Sequence, residues 1–187
     1  MDNIKRNITV IGSGGHSKTV CSAIESMMYF NIKVLDNDTL LTSSEDTVVI
    51  AIGNDDTRNR IVDNISNSSI VVKDIESNVD EQTSIGEGTV ILKGATIQRD
   101  ATIGKHCIIN TNASVDHDCS IGNFTHIAPG VNLCGNVTVG NNTLIGVGSS
   151  VIPGITIGNN VVIGAGSVVV KDIPDNVMAF GNPCKYE

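Results

Sequence analysis

The chain has 187 residues, of which 40% are hydrophobic and 3% aromatic, and its formal net charge is −8 at pH 7. This acidic balance excludes binding to a phosphate backbone as the main function. The five cysteines are an odd number, which indicates thiols in a reducing cytoplasm rather than a disulfide framework. With no signal peptide and no apolar run of membrane-spanning length, we expect a soluble, cytoplasmic protein.

Residues 1–75 are predicted to form a small α/β domain, half of a dinucleotide-binding fold, because strands alternate with helical segments. A domain of this type holds its ligand at the carboxyl ends of the parallel strands. The predicted elements are a strand at 7–12, a helix to about Tyr29, a strand at 33–36, a strand at 47–53, a helix from Asn54 or Asp55 to about Asn64, and a strand at 69–72.

A glycine-rich turn follows the first predicted strand, in the order Gly-Ser-Gly-Gly-His-Ser from Gly12. It is not a complete GxGxxG motif, and the domain is short, so an NAD site is not predicted. Backbone N–H groups at 14–16 would face the pyrophosphate of one nucleotide diphosphate at a helix N-terminus. Asp36 is placed to accept ribose or base hydrogen bonds, and Gly53 would leave room for the ligand. The alternative is a tight turn without a ligand.

From residue 79 to residue 169, every sixth residue is aliphatic. A period of six fits neither an α-helix nor a plain two-residue alternation. It is typical of a solenoid in which each hexapeptide forms one flat face and one corner. The sixteen positions are Val79, Ile85, Ile91, Ile97, Ile103, Ile109, Val115, Ile121, Ile127, Leu133, Val139, Ile145, Val151, Ile157, Ile163 and Val169.

Three hexapeptides close a coil of 18 residues, and an Ile-Gly or Val-Gly pair recurs at that spacing from Ile85 to Ile157. These two periods therefore predict that residues 76–170 form an all-β parallel β-helix with coils about 4.8 Å apart. The aliphatic side chains point inward, and glycine adopts turn torsions that other residues resist. Residues 171–187 leave the frame and are predicted to cap the open end, with Val177, Met178 and Phe180 packed over it.

His117 is the histidine of the coil with the clearest chemical surroundings. It lies between Asp116 and Asp118, which should orient its imidazole and raise its basicity. Gly135 comes 18 residues later and so occupies the same site on the next coil, where a backbone N–H could stabilise an oxyanion. His126 lies half a coil away, so contact with His117 is less favoured within one subunit, but His126 could approach it across a subunit interface. The alternative is an exposed histidine without a function.

A zinc site like that of the β-helix carbonic anhydrases is a further alternative for the histidines of the coil. Those enzymes use a closely spaced histidine pair, which His106, His117 and His126 do not supply. We therefore predict no metal.

Together these features resemble the bacterial sugar acetyltransferases with hexapeptide repeats, which include the bacillosamine-pathway N-acetyltransferase and relatives of the sialic acid O-acetyltransferase. The resemblance covers nearly the whole chain, and no inserted loop interrupts the repeat. It rests on the hexapeptides and on Ile-Gly-Ser-Gly-Gly-His at 11–16, Leu-Asp at 35–36, Ala-Ile-Gly-Asn at 51–54, Val-Asp-His-Asp-Cys at 115–119, Phe-Thr-His at 124–126, Cys-Gly-Asn at 134–136 and Gly-Asn-Pro at 181–183.

The resemblance implies a left-handed β-helix that forms a homotrimer, with acetyl-CoA bound along the coil between subunits and a nucleotide-sugar on the N-terminal domain. By motif position, His117 would be the general base and Asp118 the acid that raises its basicity, a position where the family often carries Glu. Gly135 would offer the oxyanion N–H.

Two further groups of residues match binding positions of the family. His126 would contact the acetyl thioester, and Val147 and Ala165 would line the pantetheine arm of the coenzyme. The nucleotide-sugar positions are Gly14, Gly15, His16, Asp36 and Gly53.

The predicted function is acetyl transfer from acetyl-CoA to the amine of a UDP-linked 4-amino-4,6-dideoxy sugar in bacterial glycan biosynthesis. Two alternatives stay open. One is O-acetylation of sialic acid or another sugar hydroxyl, and the other is a non-catalytic scaffold that binds a nucleotide-sugar.

Overall fold

The computed structural model describes residues 6–36, 47–65 and 69–186. Its N-terminal part is a parallel three-stranded sheet in the order β2-β1-β3, so the carboxyl ends of the strands meet at one edge. The elements are β1 (Arg6–Ile11), α1 (Gly15–Ser26), β2 (Phe30–Leu35), β3 (Thr47–Ile50) and α2 (Asp55–Val62).

The helices of this part differ slightly from the prediction. Helix α1 ends at Ser26 and not at Tyr29, because Met28 takes a left-handed φ of 62° and reverses the chain towards β2. Helix α2 begins after Asn54, as predicted. The Asn54 side chain accepts a hydrogen bond of 2.9 Å from the N–H of Thr57, which is the usual role of an N-cap.

The predicted fourth strand does not form a regular strand of this sheet. Ser69 makes one isolated bridge to Val48, whereas β4 (Val72–Lys73) pairs with Val90–Ile91 of the coil. Lys73 stands six residues before Val79 and so occupies the aliphatic frame. The coil therefore starts one hexapeptide earlier than the pattern suggests, and a lysine conceals that step.

The remaining chain forms the predicted parallel β-helix, with three flat faces and strands that pair with those one coil away. The first face contains β4, β7 (Val90–Ile91), β10 (Ile108–Ile109), β13 (His126–Ile127), β16 (Leu144–Ile145), β19 (Val162–Ile163), β21 (Met178–Phe180) and β22 (Lys185–Tyr186). The second contains β5 (Asn78–Val79), β8 (Thr96–Ile97), β11 (Ser114–Val115), β14 (Asn132–Leu133), β17 (Ser150–Val151) and β20 (Val168–Val169). The third contains β6 (Ser84–Ile85), β9 (Thr102–Ile103), β12 (Ser120–Ile121), β15 (Thr138–Val139) and β18 (Thr156–Ile157).

The aliphatic frame forms one continuous core inside the coil. Its members are buried, apart from Val79 and Ile85 in the first coil, which are partly buried. The N-terminal part shares a second core with the first face of the coil, where α1 and the sheet pack against Val72, Val90 and Leu92. Buried apolar contacts therefore hold the small α/β unit on this face. No helix within the described ranges is long and apolar enough to cross a membrane.

The glycines of the Ile-Gly pairs do not adopt the unusual torsions that we expected. The left-handed φ values lie two residues further on, for example 59° at Phe124, after Gly122, and 52° at Asn142, after Gly140. These glycines are required because adjacent coils approach closely. A Cβ built on Gly122 would lie 2.6 Å from the backbone nitrogen of Asn141 and from the carbonyl carbon of Gly140.

We expect Gly122→Ala to lower the free energy of unfolding by about 1–3 kcal/mol, because backbone atoms cannot turn away from the added methyl group. Denaturant titration measures the change. Ser120→Ala, two residues earlier on the exposed side of β12, is the control and should change stability by less than about 0.5 kcal/mol. Equal stability of the two variants would contradict the close approach.

The carboxyl end of the coil is capped differently from the prediction. Met178 and Phe180 point outward, with 61% and 55% of their surfaces exposed. Strand β21 adds to β19 in parallel, with Ala179 opposite Ile163, so the last coil is two residues shorter than 18. This shortening places Ala179 inside the coil with Ile173 and Cys184. Val177 packs against the same core, as predicted.

Candidate active site

His117 lies on the turns between the second and third faces, which we call the His117 corner (residues 116–119 and 134–137). Its Nδ1 is 2.7 Å from Oδ2 of Asp118, and its backbone N–H donates to Oδ1 of Asp116 at 2.8 Å. The left-handed φ of Asp118 is one that aspartate tolerates better than most residues. The short side chain of Asp118 therefore reaches the ring.

The charges around His117 favour its protonated form. The hydrogen bond with Asp118 is the largest cause, followed by the charge of Asp116, and together they raise the pKa of His117 above its ordinary value. A neutral imidazole whose Nδ1–H donates to Asp118 keeps Nε2 as the acceptor for a proton. The side chain is 58% exposed, so this nitrogen is accessible.

Gly135 lies against the ring of His117, on the next coil. A Cβ built on Gly135 would lie 2.6 Å from Cε1 and Nε2 of His117, so only glycine leaves space for the ring in this orientation. The N–H of Asn136 donates to the carbonyl of His117 at 2.9 Å and fixes the spacing of the coils. In the described part of the chain, the Gly135 N–H has no hydrogen-bond acceptor.

A surface pocket opens beside these groups. It is lined by His117, a proton acceptor, and by Gly135, whose N–H has no acceptor within the described chain. A base and an N–H donor of this kind can together promote attack on an acyl carbon. The lining residues are Asp116, His117, Cys134, Gly135, Asn136, Pro153 and Gly154.

The predicted nucleotide residues gather at the carboxyl edge of the N-terminal sheet. Gly14 precedes α1 in an extended conformation, and no side chain caps the helix, so the N–H groups of its first turn face outward. Asp36 directly follows β2 and accepts a 2.8 Å hydrogen bond from the hydroxyl of Ser13. Gly53 follows β3. Such an edge is suited to a diphosphate.

His126 lies beside this edge, on the first face of the coil. The centroid of its ring is 6.5 Å from that of His16, and its Nε2 is 3.0 Å from Nδ2 of Asn110. Burial first, and then the charge of Arg58, lower the pKa of each histidine to about 4. Both rings are therefore neutral near pH 7.

Val147 and Ala165 lie on the corner between the first and second faces, one coil apart. The N–H of Gly166 donates to the carbonyl of Val147 at 2.8 Å, and the Val147 side chain is 52% exposed. In one chain, the predicted site residues thus form three groups on different sides of the coil. They are the His117 corner, the corner of Val147 and Ala165, and the first-face group, which consists of His126 and the nucleotide residues Gly14, Gly15, His16, Asp36 and Gly53. The His117 corner lies opposite the first face, which carries His126 and the N-terminal sheet.

The sequence analysis did not predict two residues that contact the first-face group, Arg58 and Asn110. Arg58 is a buried cation, 1% exposed, and Asn110 contacts His126. Arg58 stands three residues before Ile61, which places it on the apolar side of α2, and this spacing was the available signal. Asn110 had none. Among the described residues, no group of three or more His, Cys, Asp or Glu side chains is arranged to hold a metal ion.

The family model described as "Bacterial transferase hexapeptide (six repeats)" matches residues 82–117, 100–135 and 136–171. No curated protein matches the chain. The acetyltransferase domain of PglB from Neisseria gonorrhoeae FA1090 has a similar solved structure, with 32% identity, a TM-score of 0.93, and coverage of 98% of this chain and 100% of that chain. The same domain in complex with acetyl coenzyme A gives 31% identity, a TM-score of 0.91 and the same coverage.

PerB from Caulobacter crescentus, in complex with CoA and GDP-perosamine, is 33% identical with a TM-score of 0.89, and the alignment covers 97% of each chain. The identity and nearly complete coverage of these relatives show the family. The chain belongs to the bacterial hexapeptide-repeat sugar acetyltransferases, and it is an acyltransferase.

Proposed function

We propose that this protein transfers the acetyl group of acetyl-CoA to the amine of a nucleotide-linked 4-amino-4,6-dideoxy sugar in bacterial glycan biosynthesis. The observation that carries the proposal is the His117–Asp118 pair placed against Gly135, in a chain of this family. UDP is the nucleotide that the resemblance to bacillosamine-pathway enzymes favours, whereas the PerB complex contains GDP. All five cysteines are free, which is in keeping with a cytoplasmic enzyme.

In the proposed reaction, the neutral amine attacks the carbonyl carbon of the thioester. Nε2 of His117 accepts the proton that the nitrogen loses, while Asp118 stabilises the imidazolium that forms. The Gly135 N–H donates to the oxygen on which negative charge develops. The carbon–sulfur bond then breaks, CoA leaves as a thiolate that takes the proton, and the sugar carries a new amide. A neutral amine needs no covalent enzyme intermediate when both substrates are held in place.

We propose that a second subunit completes the site. A sugar nucleotide at Gly14, Gly15, His16, Asp36 and Gly53 lies on the first-face side of its own coil. The His117 corner of the same chain is on the opposite side, so the amine would meet the His117 of a neighbouring subunit in a homotrimer. Acetyl-CoA would lie between subunits, along Val147 and Ala165, with its thioester near His126.

The direct test is release of free CoA, followed with a thiol reagent. Purified protein and acetyl-CoA are mixed with UDP-, GDP- or dTDP-linked amino sugars, with sialic acid, or with no acceptor. Release that requires an amino sugar supports the proposal, and the preferred nucleotide names the substrate. Release only with sialic acid supports the O-acetyltransferase alternative. Absence of release with every acceptor supports the non-catalytic scaffold.

Asp118→Asn should move the acid limb of the pH profile to lower pH. In the native protein kcat/KM rises with pH as His117 loses its proton, and the raised pKa moves this rise to a higher pH than an unperturbed histidine would give. The substitution removes the largest cause of the shift, so the limb moves down, and the plateau of kcat falls about tenfold as the base weakens. A pH–rate series measures both effects.

Asp100→Asn is the matched control, since Asp100 lies one coil earlier with a φ of 61° and does not touch His117. Its profile should equal that of the native enzyme. An Asp118→Asn profile with an unshifted acid limb would show that the limb does not report His117.

A further inference from the structure

The buried guanidinium of Arg58 joins the N-terminal part to the coil. Its Nη1 donates to the carbonyls of Ile52 and Gly53, each at 2.9 Å. Its Nη2 donates to the carbonyl of Phe124 at 2.7 Å, and its Nε donates to the carbonyl of His106 at 3.1 Å. Two acceptors thus follow β3, and two lie on successive turns of the coil.

This anchor is unusual because its partners are all neutral. Arg58 makes no ion pair with any described carboxylate, and burial is the first cause that lowers its pKa. A buried cation that forms no ion pair is costly, and an apolar side chain would hold α2 against the coil without that penalty. The planar guanidinium adds direction, since its donors point along fixed lines to several acceptors at once. This indicates a role in alignment.

The group that Arg58 aligns relative to the coil is the carbonyl of Gly53. It accepts a hydrogen bond from Arg58, and Arg58 also donates to the carbonyl of Phe124, two residues before His126. Asn110 contacts the ring of His126 at Nε2. Hydrogen bonds through Arg58 therefore tie the carbonyl of Gly53 to the turn that leads into the strand of His126.

We propose that Arg58 is a positioning residue that holds Gly53 in register with His126, so that the sugar nucleotide and the acetyl donor meet at a fixed separation. This inference rests on the proposed function. Arg58 contacts neither substrate and acts through Gly53 and His126. Its loss should therefore weaken the productive placement of the sugar nucleotide more than the binding of acetyl-CoA.

The charge of Arg58 supplies a second readout. Burial is the first cause that lowers the pKa of His16, His126 and His106, and the charge of Arg58 lowers all three further. The other groups that face this cluster are Asp55 and Cys107, which act on Arg58, and Glu87 and Lys105, which act on His106. Removing the cation should raise the pKa of His16 and His126, whereas a change that keeps the cation should leave them low.

The test compares Arg58→Lys and Arg58→Met with the native enzyme. Lysine keeps the charge but loses the planar fork, and methionine loses both. We expect both variants to raise the KM for the sugar nucleotide roughly tenfold while the KM for acetyl-CoA stays within about twofold. NMR titration of the histidine rings should show higher pKa values for His16 and His126 in Arg58→Met alone. Arg60→Lys and Arg60→Met, exposed on the same helix, are the matched controls and should change neither property.

Equal losses for both substrates, or an unchanged KM for the sugar nucleotide in Arg58→Lys, would overturn the proposal. So would failure of Arg58→Lys to fold, because the role would then be structural only. If Arg58→Met does not fold, the two KM values of Arg58→Lys decide. Native protein that acetylates no amino sugar would reject the proposed function instead. In that case, weaker binding of UDP, GDP or dTDP alone by Arg58→Lys still supports the alignment of Gly53, and unchanged binding rejects it.

Discussion

His117→Ala should lower kcat by roughly 10²–10⁴, the range expected for removal of a general base. The binding of acetyl-CoA should stay close to native, because the coenzyme positions at Val147 and Ala165 lie on another corner of the coil. The side chain is largely exposed, so the free energy of unfolding should change by less than about 0.5 kcal/mol. Steady-state kinetics with an amino-sugar nucleotide and calorimetric titration with CoA measure the two effects. An unchanged kcat would remove His117 from the mechanism.

The same variant tests whether neighbouring subunits share a site. Gly14→Asp is a suitable second variant, since a Cβ at Gly14 meets no atom within 4 Å and aspartate is a good N-cap. Its carboxylate would repel the diphosphate, so this variant should be inactive yet folded. Co-expression of the two inactive chains should restore part of the activity, because some sites then combine an intact His117 with an intact nucleotide edge. Mixtures that stay inactive would contradict a site formed between subunits.

Gly135→Ala should lower kcat by roughly 10²–10³, comparable to the loss of an oxyanion donor. The added methyl group occupies the space of the His117 ring, which must rotate away from Asp118 and from the Gly135 N–H. Gly135 is not among the residues with a left-handed φ, and the exposed ring is free to move. Stability should therefore stay near native, although activity falls. Kinetics and a thermal melt on the same preparation separate the two effects.

Thr138→Ala, exposed three residues later on β15, is the control for Gly135→Ala and should match the native enzyme. Full activity of Gly135→Ala, or a loss of stability as large as the loss of activity, would contradict this account. The second outcome would mean that the methyl group disturbs the stacking of the coils and not the histidine.

The β-helix was predictable because one rule acts on every coil. Each aliphatic side chain of the frame must point inward to be buried, so sixteen repeated positions determine the fold and the register together. The neighbour relation between His117 and Gly135 follows from that register alone. Lys73 shows the limit of the rule. Its backbone joins the first coil, but at the open end a lysine occupies an aliphatic position.

The first-face group was not predictable in the same way. The partners of Arg58 lie up to 66 residues away along the chain and are backbone carbonyls, which leave no mark on residue identity. The pairing of His16 with His126 depends on how the N-terminal sheet rests on the coil, and no repeat encodes that placement. The reason for glycine in the Ile-Gly pairs was also predicted wrongly. A left-handed φ and a close approach of two backbones both favour glycine, so the sequence alone does not distinguish between them.

The position of the His117 corner among the coils has a consequence for local unfolding of the enzyme. Counting coils of 18 residues from Val72, His117 falls in the third and Gly135 in the fourth, with further coils on both sides. Each coil contacts only its immediate neighbours, so opening begins at the ends of such a stack and proceeds inward. The amide hydrogens of these two coils should exchange with solvent more slowly than those of the terminal coils. Fraying of either end then leaves the pairing of His117 with Gly135 intact.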